Sequence, residues 1–71
     1  MNILDLKANQ KAEITSIKNK RNPYVKIAEA MGLKRGETVR LYKKNGRNLI
    51  ILMNGGRIII DQDIAKEIEI Q

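Results

Sequence analysis

Leu49-Ile50-Ile51-Leu52-Met53-Asn54-Gly55-Gly56-Arg57-Ile58-Ile59-Ile60 is the stretch that decides the fold. Two apolar runs, Leu49 to Met53 and Ile58 to Ile60, flank a turn-forming Asn-Gly-Gly. Both are too short for helices and rich in β-branched side chains, so they read as the two strands of a hairpin. Asn-Gly predicts a type I′ turn, with positive φ at both central residues. A turn at Gly55-Gly56 would move the register, yet Ile51, Met53, Ile58 and Ile60 share one face either way. Ile50, Leu52 and Ile59 then point oppositely, and a chain of 71 residues has little second core to receive them. The favoured expectation is that a helix covers this second face. The other is an exposed patch that docks a partner or a second copy of the chain.

The same alternation extends outward from the hairpin. Lys11-Ala12-Glu13-Ile14-Thr15-Ser16-Ile17, Glu37-Thr38-Val39-Arg40-Leu41-Tyr42-Lys43 and Glu67-Ile68-Glu69-Ile70 have the period of half-buried strands. Lys44-Asn45-Gly46-Arg47 supplies a second hairpin turn. One helix interrupts the strands. Asn22 is a good N-cap and Pro23 fits the first helical position. Tyr24, Ile27, Ala28 and Met31 follow at i, i+3, i+4 and i+7, an apolar stripe expected to serve the core. Gly32 suits a left-handed helix end, with Leu33 packing back on the last turn. Asp61 can cap a short helical turn over Gln62 to Lys66. The elements predict a mainly β fold: a small SH3-like five-stranded barrel, with one α-helix between strands 1 and 2 and a helical turn before the last strand. An OB-like barrel usually carries its helix between strands three and four, and here the helix comes too early. Residues 1–71 form a single domain.

Composition excludes much chemistry. The chain has no cysteine and no histidine. Disulfides, a zinc site of the usual ligands, cysteine–histidine nucleophiles and serine–histidine–acid triads are therefore ruled out. Met1 to Gln10 lacks the basic and apolar regions of a signal peptide, and no apolar run reaches the roughly 20 residues that cross a bilayer. A soluble, cytoplasmic protein without direct membrane insertion is expected. The net charge of +6 is uneven: residues 1–57 hold 13 basic and 4 acidic side chains, whereas residues 58–71 hold only Lys66 against four carboxylates.

Several segments together resemble the FeoA family, ferrous-iron transport protein A, whose domain also occurs at the C-terminus of DtxR-type repressors. They are Leu4-Asp5-Leu6-Lys7, Lys11-Ala12-Glu13-Ile14, and above all Met31-Gly32-Leu33-Lys34-Arg35-Gly36-Glu37-Thr38-Val39, which is similar to the family's Leu-Gly-Leu-x-x-Gly-x-x-Val. Gly55, Arg57 to Ile60, Ala65 and Ile68 to Ile70 extend the likeness over nearly the whole chain. Two positions depart from the pattern: Asn9 stands where glycine is common, and Asp61 where arginine is common. The resemblance implies a non-enzymatic cytosolic adaptor that docks on the GTPase portion of a FeoB-type ferrous-iron permease, held by it at the inner face of the membrane. The name of the family also implies transition-metal biology.

The residues themselves give no iron site. Asp61, Asp63, Glu67 and Glu69 are the available ligands, and Glu67 and Glu69 read as solvated carboxylates opposite an inward Ile68 and Ile70. No catalytic residue, cofactor or metal ligand is assigned. Lys18, Lys20, Arg21, Lys26, Lys43, Lys44 and Arg47 form a basic patch, but single-strand binders also need aromatic platforms, and Tyr42 alone is expected at the surface. Nucleic acid, or a transcription-related protein, is thus the second choice. The candidate docking residues are Tyr24, Lys26, Ile27 and Met31 of the helix, and Ile50, Leu52 and Ile59 of the hairpin. For Tyr24, Ile27 and Met31, a place in the core is the stronger expectation.

Overall fold

A computed structural model describes residues 1–71. Strands β1 (Lys11–Ile17), β2 (Thr38–Asn45), β3 (Asn48–Met53), β4 (Gly56–Asp61) and β5 (Ile68–Ile70) form one antiparallel sheet in the order β4-β3-β2-β1-β5. Helix α1 (Pro23–Ala30) links β1 to β2, and α2 (Gln62–Ala65) links β4 to β5. A 3-10 turn, Ile3–Asp5, precedes β1. This is the expected mainly β architecture of the small SH3-like barrel kind.

The sheet curls because β1 serves two neighbours. Lys11 to Glu13 pair with β2, and Ile14 to Ile17 pair with β5, with a register shift between Ile14 and Ser16. Bulges of this kind bend a strand and increase its twist. A second shift lies between Leu41 and Lys43, leaving Tyr42 half exposed on the convex side. Asn9, at φ 67°, adopts the left-handed conformation in the turn before β1, which asparagine tolerates better than most residues.

Inside the curl lies an entirely aliphatic core. Ile3, Ile14, Leu33, Ile51, Ala65 and Ile68 have no exposed surface, and no polar or charged side chain is buried. The outer strand β5 is sealed by the N-terminus, where the Ile70 N–H donates to the Met1 carbonyl at 2.8 Å and Asn2 bridges to Glu69. Strand β4, at the other end of the sheet, has no such cover.

Local chemistry fixes α1. The Asn22 side chain accepts from the Tyr24 N–H at 2.9 Å, with Pro23 opening the helix. At its end, the Gly32 N–H donates to the Glu29 carbonyl and the Leu33 N–H to the Ala28 carbonyl, the paired bonds of a Schellman motif. Gly32 sits at φ 121°, and a Cβ there would lie 3.1 Å from Met53 Sδ. Asp61 caps α2 as expected, its Oδ1 accepting from the Ile64 N–H at 2.9 Å.

Both hairpins form where expected, but the type of the Asn54-Gly55 turn, the placement of the other turn and the face of α1 differ from the sequence-based expectation. Met53 pairs with Gly56, so the β3–β4 turn is Asn54-Gly55. Asn54 keeps a negative φ and only Gly55, at 91°, is positive; this is the pattern of a type II turn, not type I′. Asn45 pairs with Asn48, so the other turn is Gly46-Arg47, with Gly46 at φ 63° in its first position. On α1, Val25 and Ala28 are the residues that enter the core, while Tyr24, Ile27 and Met31 are 70%, 54% and 55% exposed.

Two substitutions test this account by urea denaturation. Ile51→Ala should cost about 2–5 kcal/mol, because its side chain is sealed and its neighbours are confined within a curved sheet. Gly32→Ala should cost roughly 1–3 kcal/mol through backbone strain, and further replacing Met53 by alanine should relieve the steric share but not the φ-dependent share.

Candidate functional site: an apolar groove beside the free edge of the sheet

Helix α1 stands away from β4 and leaves an open groove of about 460 Å³ between them. One wall is the helix face carrying Tyr24, Ile27 and Met31; the other is β4, from Arg57 to Asp61. Ile58, Ile60 and Ile64 lie at the floor. These three are 7%, 6% and 7% exposed, the least sealed members of the core. Ile59, at 61% exposure, stands on the rim. The groove is therefore apolar throughout, apart from Arg57 and Asp61 on the β4 wall.

The hairpin geometry exposes more than side chains. In a two-residue hairpin the flanking residues form a hydrogen-bonded pair, and bonded and non-bonded pairs then alternate. Met53–Gly56, Ile51–Ile58 and Leu49–Ile60 thus bond across the ladder, whereas Leu52–Arg57 and Ile50–Ile59 do not. The N–H and C=O groups of Arg57 and Ile59 accordingly point away from β3, out of the free edge. No turn, loop or cap bond involves either residue.

Of the residues singled out from sequence, Tyr24, Ile27, Met31 and Ile59 come together here. The expectation of a core role for the three helix residues is overturned: with Val25 and Ala28 turned inward, they fall on the adjacent, outward arc. Lys26 is exposed on α1 but lies outside the groove. Ile50 and Leu52 lie on the convex face, half-buried, and the expected helical cover over Ile50, Leu52 and Ile59 is absent because α1 sits beside β4. Leu52 is instead bracketed by cations: Lys11, Arg40, Leu52 and Arg57 follow one another across four strands in register. The next row places Lys43, Ile50 and Ile59 side by side. Arg57, Asp61 and Ile64 were not among the docking candidates read from the sequence, where Asp61 figured as a helix cap and an available metal ligand. Their signal was present in the alternation of Arg57, Ile59 and Asp61 with the inward Ile58 and Ile60.

Several other charged side chains are occupied locally. Lys18 pairs with Glu69 at 3.2 Å, Lys20 with Glu29 at 3.4 Å, and Arg47 with Asp63 at 3.1 Å. Lys44 donates to the Leu4 carbonyl at 2.9 Å. Asp63 also meets Lys66 at 3.5 Å, and Asp61 caps α2. Asp61, Asp63 and Glu69 thus have separate local partners, and the Glu67 carboxylate has none. No helix is long and apolar enough to cross a membrane.

No curated protein matches the chain. A family model, the FeoA domain, matches residues 1–71, the whole of it. The chain belongs to the FeoA family.

Proposed function

We propose that this protein is a non-enzymatic cytosolic accessory factor of ferrous-iron uptake, docking on the GTPase portion of a FeoB-type permease and modulating it. Membership of the FeoA family points to ferrous-iron transport, and the groove supplies a means of docking. The observation that carries the reading is the gathering of Tyr24, Ile27, Met31 and Ile59 around one apolar cleft. Four large side chains more than half exposed at one place are a poor arrangement for a free domain and a good one for an interface. A fully buried side chain of this size contributes about 1.5–3 kcal/mol, so a few of them can hold a complex. Lys11, Arg40, Lys43 and Arg57 form a basic rim on the adjoining convex face and would steer an acidic surface toward it. Docking there keeps the protein at the inner face of the membrane through its partner.

The nucleic-acid reading has less support. Of the basic patch considered for it, Lys18, Lys20 and Arg47 are ion-paired and Lys44 is held by a main-chain carbonyl. Tyr42 is the one aromatic on the convex face, too few for a stacking platform.

Pull-down of the cytosolic portion of a FeoB-type protein tests the proposal. Ile27→Glu should abolish capture while changing folding stability by no more than about 0.5 kcal/mol, as for an ordinary surface site. Capture that survives Ile27→Glu and Met31→Glu alike would remove the groove from the interface. Lys43→Glu should slow association and flatten its salt dependence, with little effect on the dissociation rate, as read by surface plasmon resonance.

A further inference from the structure

The free edge of β4 is self-complementary, and we propose that two copies of the chain pair there, β4 against β4, in one antiparallel register centred on Ile59. Three observations on the strand lead to this.

The edge is open and flat. Natural edge strands are usually guarded by proline, lysine, a bulge or a covering segment. In this chain β5 is covered by Met1 and Asn2, and the ladders β1–β5 and β2–β3 carry register shifts. The β3–β4 ladder runs without a shift from Gly56 to Asp61, and β4 contains neither proline nor lysine. Its outward main-chain groups, at Arg57 and Ile59, lack partners.

The charges select both the occupant and the register. Arg57 and Asp61 lie two residues on either side of Ile59, on the same face of the strand, and neither forms an ion pair within the chain. An antiparallel copy centred on Ile59 sets Arg57 opposite the second copy's Asp61, and Asp61 opposite its Arg57. Ile59 meets Ile59, and the two exchange both main-chain bonds. Each Asp61 N–H meets the Arg57 carbonyl across the axis. A shift by two residues along the strand loses these pairings and leaves apolar side chains opposite charges. Opposite charges directly across a strand pair stabilise it and like charges oppose it, so β4 satisfies the demand that it makes.

The groove supplies the remaining surface. A strand added to β4 lies beside Tyr24, Ile27 and Met31, so pairing covers the exposed apolar side chains as well as the edge. Such a contact is isologous and closes on itself as a dimer, without risk of open fibres. It occupies the groove offered above to the permease, so the dimer and the complex exclude one another. The inference stands whether or not that reading does.

Sedimentation equilibrium of the full chain over a wide concentration range tests it. The expected result is a monomer–dimer equilibrium between 8.1 kDa and twice that mass, with the Ile59 amide slowing in hydrogen exchange as concentration rises. Arg57→Glu places like charges across both symmetric pairs and should raise the dimer dissociation constant at least about tenfold. Asp61→Lys should do the same, and mixing these two variants should restore dimers, since each then meets an opposite charge at both ends. Asp61→Lys also removes the α2 cap; if it fails to fold, Asp61→Asn keeps a capping side chain and should weaken the dimer by a few-fold, roughly what one cross-strand charge pair contributes at each end. A chain that stays monomeric at millimolar concentration overturns the proposal. So does a dimer indifferent to Arg57→Glu, or a monomer whose β4 edge is protected only by an added extended peptide.

Discussion

Strand β1 has to hold two neighbours at once, and the architecture follows from how it does so. Its first half bonds to β2 and its second half to β5, across a bulge beside Thr15. A straight strand would pair with both along its length and give a flat sheet with two exposed faces. The bulge turns the second half out of that plane, so the apolar face closes around Ile14, Leu41, Ile51 and Ile68 and no polar side chain is trapped inside. The same bend carries β5 back to the N-terminus, where Met1 and Asn2 seal it. One edge of the sheet is thereby satisfied within the chain and the other is not. That asymmetry sets the character of the surface.

The unsatisfied edge lies beside a helix too short to be stable alone. Eight residues form about two turns, below the length at which helices persist in water. The helix exists because Asn22 and Gly32 terminate it and because Val25, Ala28 and Leu33 anchor it to the core. Its anchoring face is narrow, so the rest of its apolar surface remains for the groove. A wider anchoring face would have drawn the helix onto β4 and erased the site. The aliphatic wealth of the chain thus divides between a sealed interior and one deliberate opening.

How much of this was legible in the residues depends on which physical quantity each feature rests on. The strands were legible because a half-buried strand imposes a two-residue period, and the Asn22, Gly32 and Asp61 caps because few residue types satisfy orphaned helix ends. The family resemblance rested on those same glycines and alternations. The rotation of α1 was not legible. Tyr24, Ile27 and Met31 form one apolar arc, Val25 and Ala28 the next, and helical period alone does not say which arc meets the sheet. That choice is made by the route of the chain from β1 into the helix and out through Gly32 and Leu33. The turn at Asn54-Gly55 misled for a related reason: the dipeptide favours one turn type, but the flanking twist selects among those that glycine permits. Which strand would be left at the edge depended on sheet order, a non-local quantity. The groove, composed of an outward helix arc and an edge strand, inherited both ambiguities.

The hydrogen bond from Ile70 to the Met1 carbonyl brings residues 1 and 70 side by side. A short linker could join them without crossing the core, and the exposed stretch at Asn19 to Arg21 offers a place to open new ends. Domains whose first and last elements meet at the surface generally tolerate such rearrangement. The connectivity of this barrel is therefore separable from its shape: the bend in β1 and its two partners would persist in a circularly permuted molecule.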